Sequence, residues 1–364
     1  MSLTIVGLGT MVPGEPVPQQ RAAEVAARLF EATPERERTL STLYRWTRVA
    51  SRHSVLSDGP SGSTGTHQQF FAPWSGEGDK GPTTRERMDR YEAHAAPLAL
   101  AASRSALDEA GTEPGDLTHL VTVSCSGFSA PGVDVALLKQ LGLSPDIARS
   151  HIGFMGCHGA LNALRVARSF VEADPASRVL VCAVELCTLH AHYGWDPEQI
   201  VANAIFSDGA AALVGAGRQT GRPDAWTVAA NGSRIMADSE DAMTWRVHDH
   251  GFEMTLSPRV PDLIREHVRP WLEGWLAEQG LSMDDVGSWA IHPGGPRILD
   301  AVARAAGLDK QRLTASYEVL ERYGNMSSPT ILFLLKRLKD EGAALPLVAL
   351  GFGPGLAIEA ALIR

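Results

Sequence analysis

Residues 116–127 read DLTHLVTVSCSG and continue through 131–143 as PGVDVALLKQLGL, while residues 285–295 read DVGSWAIHPGG and continue through 296–308 as PRILDAVARAAGL. In each stretch an apolar run ends in a glycine-containing turn, and a segment with apolar residues at helical spacing follows. The two stretches are a faint internal repeat of one strand–turn–helix unit. Cys157 stands 32 positions after Cys125, and Asn325 stands 33 after His292, so the next helix start recurs at nearly the same offset. Repetition at a fixed offset is the mark of a duplicated unit. The sequence therefore predicts a duplicated α/β core with halves 1–220 and 221–364, divided at the polar stretch 217–224, GRQTGRPD.

Working outward, the N-terminal MSLTIVGLGTMVPG has no basic residue before its short apolar run and reads as a strand and turn rather than a signal peptide. A helix is expected over Gln19–Ala32, followed by a second, locally basic helical region carrying Arg36, Arg38, Arg45, Arg48 and Arg52. Residues 57–83 are rich in Gly, Ser and Pro without a sustained period and read as a long surface loop. A helix over about Arg85–Ala110, bent at Pro97, leads into the first repeat. Strands RVLVCAVEL and AAALVGAG follow the helix HGALNALRVARSFVEA.

The 364 residues are 44% hydrophobic and 21% charged, ordinary globular values that exclude disorder as the main state. Thirty-three basic against 42 acidic residues leave a net charge of −9, so no global positive field exists to hold nucleic acid or an anionic membrane. The longest apolar runs, such as Leu345–Leu350 and Ala357–Ile363, fall far short of the roughly 20 residues of a membrane span. Four cysteines without a CxxC pair argue against a disulfide framework or a zinc site and fit a reducing cytoplasm. His190 with His192, and His248-Asp249-His250, lack the further ligands that would complete a metal site.

One of the four cysteines stands apart. Cys157 lies between the short apolar stretch HIGFMG and a helix whose Leu161, Leu164, Ala167, Phe170 and Val171 share one face. A helix N-terminus favours the thiolate, so a depressed thiol pKa is expected there. His292 stands at the end of strand SWAI before PGGP, and Asn325 stands in YGNMSS before the helix TILFLLKRLKDEG. In equivalent slots of a duplicated fold, these three form a candidate nucleophile with two polar partners.

With those residues in place, the chain resembles the type III polyketide synthases, the chalcone synthase-like branch of the thiolase superfamily. The resemblance rests on MGCHGALNALR around Cys157, AIHPGGPRIL around His292, YGNMSSPTILF around Asn325 and GFGPGL at 351–356, and extends from GLGTMVPG through TRERMDRYEAHAAPLAL to the last strand. It implies a thiolase-like five-layer αβαβα fold, a homodimer and a Cys157–His292–Asn325 triad that condenses malonyl-CoA onto an acyl-CoA starter. Cys157 would carry the acyl group, with His292 as its ion-pair partner. His292 and Asn325 would donate to the enolate oxygen released by decarboxylation. This chemistry requires no metal or redox cofactor.

Residue by residue, the resemblance makes Phe206 a gatekeeper between the CoA tunnel and the cavity, and puts Phe352 at the cavity wall. It aligns Cys125, Ser126, Ala130 and Glu185 with positions that shape the product cavity. Cys187, His190, Met254 and Ser327 join them, with Ala130 reaching across the dimer interface. Gly294 and Gly295 match a backbone approach to CoA, and Arg45, Arg48 and Arg52 are the basic residues available for its phosphates. His158 departs from the small or aromatic residue expected beside the nucleophile.

Three other readings compete. A ketoacyl-ACP synthase III-like enzyme or a related acyltransferase shares the triad and the duplicated fold but usually differs after the histidine and lacks GFGPGL. A papain-like hydrolase has the same Cys, His, Asn order, yet GCHGAL is not its signature and the repeat would go unexplained. A non-enzymatic scaffold would leave all three chemical residues without a purpose.

Overall fold

A computed structural model describes residues 2–31, 33–57, 68–217 and 225–364. The expected boundary stretch, from residue 218 on, and the 58–67 part of the expected loop lie outside the described residues. The first half runs β1 (Leu3–Met11), β2 (Val17–Pro18), α1 (Gln19–Ala26), α2 (Pro34–Trp46), β3 (Ser51–Arg52), α3 (Thr84–Ala110), β4 (His119–Ser124) and α4 (Val133–Leu141). It continues with β5 (Ala148–Gly153), α5 (Gly159–Ala173), β6 (Arg178–Leu186), α6 (Pro197–Ile205) and β7 (Asp208–Ala216). The second half runs β8 (Thr227–Ile235), β9 (Met243–His248), β10 (Gly251–Leu256), α7 (Val260–Glu278), β11 (Ser288–Ile291) and α8 (Pro296–Ala306). It ends with α9 (Thr314–Tyr323), α10 (Pro329–Asp340), β12 (Leu347–Gly353) and β13 (Ala357–Ile363).

The quoted repeat is present as β4–α4 and β11–α8. Both helices stop alike: Gly142 and Gly307 take left-handed φ values of 71° and 67°, and the next residue, Leu143 or Leu308, donates its N–H back to Leu138 or Ala303. This glycine-terminated closure satisfies carbonyls that a helix end otherwise leaves free.

Strands pair in the order β11-β12-β13-β8-β1-β7-β6-β4-β5. Within this sheet the two halves meet at β1 and β8, by the pairs Leu3↔Val228 and Thr4↔Thr227. Strand parity gives the layers, because successive residues face opposite sides. Along β6, Val179, Val181 and Ala183 pack with α5 and α10, whereas Leu180, Cys182 and Val184 pack with α3 and α4. Along β12, Leu347 and Ala349 join the α5–α10 cluster, whereas Val348, Leu350 and Phe352 pack with α7 and α8. The helices α5 and α10 thus form a middle layer between the two halves of this nine-stranded sheet, each half covered outside by its own helices. This is the five-layer αβαβα arrangement. Leu161, Leu164, Ile331, Leu332, Leu334 and Leu335 of the middle layer are at most 1% exposed, and burial of each contributes about 1.5–3 kcal/mol.

Two expected helices are shorter than read. The helix from Gln19 stops at Ala26 and passes into a tight turn, Ala27–Leu29, because the carbonyls of Arg28 and Leu29 accept from Trp74 and Gly194 instead of closing further helical turns. The basic helix stops at Trp46: Arg48 has φ of 57°, outside the helical region, and Arg52 lies on β3. The helix Thr84–Ala110 keeps Pro97 inside it and starts at a reciprocal cap, in which Thr83 and Glu86 satisfy each other's backbone N–H groups. No helix among the described residues is long and apolar enough to cross a membrane.

Candidate active site

Cys157 lies in the tight turn Gly156–His158 that opens directly into α5. Its Sγ faces the side-chain amide of Asn325, 3.9 Å from Nδ2 and 4.0 Å from Oδ1. Backbone pairing holds Asn325 in place: its N–H donates to Ile205 at 2.9 Å, its carbonyl accepts from Ser207 at 2.9 Å, and it bridges Phe206 at the end of α6. Its Oδ1 accepts from the Ser327 N–H at 2.8 Å. That bond fixes the amide orientation and leaves the Nδ2 hydrogens as the available donors.

His292 is the first residue after β11, and its N–H extends the strand by donating to Leu350 at 2.8 Å. The residue is 2% exposed, and neither ring nitrogen has a hydrogen-bond partner among the described residues. Such a side chain stays costly until a substrate atom meets it.

The electrostatics correct one expectation. The helix terminus and an ion pair with His292 were to lower the Cys157 thiol, but burial dominates. It pushes the thiol up to about 11, against the opposing hydrogen bonds of Ser327 and Asn325. Burial, reinforced by the nearby His158 and opposed by the adjoining Asn325 side chain, pulls His292 down to about 3. In a site closed to water both charged forms lose solvation, so burial favours a neutral thiol and a neutral imidazole. The imidazole then has a free lone pair to accept the thiol proton.

Beside the thiol lies a buried polar knot. The fully buried Glu185 accepts from the N–H groups of Cys125 and Ser126, both at 2.9 Å, and from the hydroxyls of Ser126 and Ser328, both at 2.6 Å. Ser327 Oγ meets Cys125 Sγ at 3.4 Å. Cys125, Ser126, Glu185 and Ser327 thus pack around the nucleophile, and neither they nor Cys157, His292 and Asn325 line the main cavity, which reaches the site at Phe206.

That cavity, about 870 Å³ including the part open to solvent, runs under α1, α2 and α6. Of the expected residues it brings together Phe206, Cys187, His190, Met254 and Arg52. His190 is a wall rather than a base. Its Nε2 donates to Ser126 O at 2.6 Å, its Nδ1 accepts from Phe252 N at 3.0 Å, and burial pulls its pKa down to about 3. Trp245 also lines the cavity and donates from its indole to Cys125 O at 2.7 Å. It was not among the expected residues: the alternation in MTWRVH and GFEMTL signals a hairpin, but nothing local says that this hairpin folds over the end of β6.

Four expected placements differ or are explained. Phe352 is 3% exposed in the core with α7 and α8, because the even-numbered residues of β12 face outward from the middle layer. Arg52 is buried, so it is not a surface phosphate contact. Its guanidinium donates to Ala204 O at 2.6 Å, Phe206 O at 3.1 Å and Gln19 Oε1 at 2.6 Å, and it also bonds Asn203 O, capping the C-terminus of α6. Ala130 is exposed on a surface stretch and does not line this cavity. His158 packs against β12, where a Cβ at Gly353 would come within 2.4 Å of its ring, and its Nδ1 pairs with Asn162 Oδ1 at 2.8 Å. Arg45 and Arg48 are exposed, Arg48 lying over the Tyr317 ring. Gly295 begins α8 with φ of 153°, and Gly294 donates its N–H to His292 O at 3.0 Å. Among the described residues no group of three or more His, Cys, Asp or Glu is placed to hold a metal ion.

Comparison with known proteins follows this geometry. The sequence profile of the N-terminal domain of chalcone and stilbene synthases matches residues 2–218, and that of the C-terminal domain matches 227–364. The alpha-pyrone synthesis polyketide synthase-like Pks18 of Mycobacterium tuberculosis is 34% identical over 98% of this chain and 90% of its own. Type III polyketide synthase A of Arabidopsis thaliana is 31% identical over 99% and 92%. Among solved structures, PKS-I from the brown alga Ectocarpus siliculosus superposes with a TM-score of 0.91 at 31% identity, covering 100% of this chain and 98% of that one. CsyB complexed with CoA-SH gives 0.85 at 28% identity, covering 100% and 99%.

Proposed function

Because this chain belongs to the chalcone and stilbene synthase family and is a type III polyketide synthase, we propose that Cys157, His292 and Asn325 carry its condensation chemistry. Neutral His292 accepts the thiol proton as Cys157 Sγ attacks the starter acyl-CoA carbonyl, and CoA leaves. Malonyl-CoA then loses CO₂. The enolate oxygen that develops receives the Asn325 Nδ2 hydrogens and a ring N–H of His292, donors fixed before the charge appears. The enolate carbon attacks the Cys157 thioester, and the extended chain passes to CoA. These steps draw only on the chain's own groups and the two thioesters.

The single observation that carries this reading is the Asn325 amide, locked by Ser327 N–H and facing the sulfur at 3.9 Å, beside a buried His292 with both nitrogens unpartnered. The mainly apolar cavity lined by Phe206 suits an acyl chain, and a pyrone product accords with the alpha-pyrone synthesis for which the mycobacterial relative is named. Arg45, Arg48, Gly294 and Gly295 remain the proposed contacts to CoA. The four free, buried cysteines fit a reducing cytoplasm.

A homodimer is part of this proposal. Among the described residues β5 ends the sheet with one edge unpaired, and Phe128, 53% exposed, and Phe154 and Met155, each 38% exposed, make an apolar patch at that end. An open edge beside apolar surface suits a second copy, and Ala130 would meet that copy. Incubation with malonyl-CoA and a panel of acyl-CoA starters, read by mass spectrometry, tests the activity. Extended, decarboxylated products are expected, and their absence with every starter would refute the reading. Sedimentation tests the dimer, which Phe154→Glu is expected to weaken.

A further inference from the structure

In the mainly apolar cavity two hydroxyls sit together on one wall, and a buried carboxylate stands behind them. Ser54 Oγ lies 2.7 Å from Thr188 Oγ1, and Thr188 Oγ1 donates to Asp208 Oδ2 at 2.6 Å. The Asp208 carboxylate also accepts from Thr188 N at 2.8 Å and Val55 N at 2.9 Å. An ionised carboxylate only accepts, so Thr188 gives its proton to Asp208 and Ser54 gives its own to Thr188. The row is thereby polarised away from the cavity, and the Ser54 oxygen, which accepts from Leu56 N at 3.1 Å, keeps one further lone pair. Both hydroxyl residues line the cavity and are half-buried, whereas Asp208 is fully buried. The inner end of the row is tied to the backbone that holds Asn325: Ser207, next to Asp208, donates its N–H to Asn325 O at 2.9 Å.

We propose that Ser54, Thr188 and Asp208 form a proton-accepting row that receives the enolic hydroxyl of the extended chain as it closes into a lactone. This rests on the synthase reading above. The enol oxygen attacks the thioester carbonyl carbon, the C–O bond forms, and the C–S bond breaks with its electron pair leaving on the thiolate. The enol proton passes to Ser54 Oγ, the proton of Ser54 to Thr188, and that of Thr188 to Asp208. The carboxylic acid so formed then returns a proton through solvent to the thiolate. Burial pushes Asp208 up to about 6, against the pull of the Thr188 and Val55 donors and Arg52, so it can hold and release a proton near neutrality. The titratable groups facing it are Arg52 on β3 and Cys187 at the end of β6.

The test compares Ser54→Ala, Thr188→Val and Thr188→Ser with the parent enzyme, each given malonyl-CoA and an acyl-CoA starter. The readout is the ratio of lactone to free acid of the same chain length, counted per acyl-enzyme formed. Ser54→Ala and Thr188→Val are expected to lower the ratio at least about tenfold, and Thr188→Ser to restore it. A ratio within about twofold of the parent in both Ser54→Ala and Thr188→Val would overturn the proposal. If Thr188→Val does not fold, Ser54→Ala decides alone, since Ser54 makes no bond to Asp208. A parent enzyme that forms no acyl-enzyme would instead sink the synthase reading.

Discussion

The strand ends at β4 and β11 occupy the same slot of the repeat and have opposite fates. At the end of β4, the N–H groups of Cys125 and Ser126 and the Ser126 hydroxyl all close on Glu185. At the end of β11, His292 is equally buried, yet both ring nitrogens lack a partner among the described residues. A buried polar group without a partner costs about 1–3 kcal/mol. One copy of the unit is thus satisfied and structural, and the other holds its cost in readiness for a substrate. Duplication supplies two equal frames, and the difference in hydrogen-bond satisfaction locates the chemistry.

Mutations at the two ends break or sharpen this contrast. On the unsatisfied side, Asn325→Ala removes a preorganised donor and is expected to slow malonyl-CoA decarboxylation about 100- to 1,000-fold while starter loading on Cys157 stays measurable. Equal decarboxylation in mutant and parent would remove Asn325 from the mechanism. On the satisfied side, Glu185→Ala strands several donors and is expected to cost about 3 kcal/mol of stability, read by denaturant unfolding. A loss under about 0.5 kcal/mol would mean that the knot behind the thiol is not structural.

The contrast is sharpened more gently by pH. With Cys157 raised to about 11 and His292 lowered to about 3, alkylation of Cys157 by iodoacetamide without substrate should keep climbing to pH 10. A plateau between pH 6 and 8 would reveal a resting thiolate–imidazolium pair instead. The smallest change in rate is expected of Met254→Trp, which fills the cavity without touching the triad and should shorten the product or narrow the starter range. An unchanged product spectrum would place chain-length control elsewhere.

What the sequence made legible follows from periodicity. Alternating apolar residues in strands such as RVLVCAVEL and the two glycine-closed helices are local patterns, and they carried the duplicated fold and the slots of the three chemical residues, whereas Cys187 and His190 of the cavity wall came from the resemblance to type III polyketide synthases. Arg52 was misplaced because its neighbours Arg45 and Arg48 are exposed and look the same in sequence. Only the packing of α6 against β3 brings three helix-end carbonyls to its guanidinium. Phe352 was misplaced by one strand face, a matter of parity that GFGPGL does not show. Trp245 arrives from a hairpin more than 100 residues away from the carbonyl it bonds, with |i−j| of 120. The helix terminus that points to a lowered Cys157 thiol is local and visible in sequence, whereas the burial that pushes the thiol up is not.

The central claim is that Cys157 is the residue that carries the acyl chain. Intact-protein mass spectrometry after incubation with an acyl-CoA starter, followed by peptide mapping, tests it directly. The account predicts one acyl adduct per chain on the peptide containing Cys157, absent in Cys157→Ala and present in Cys125→Ser, Cys182→Ser and Cys187→Ser. A covalent acyl-enzyme that still forms in Cys157→Ala would contradict it.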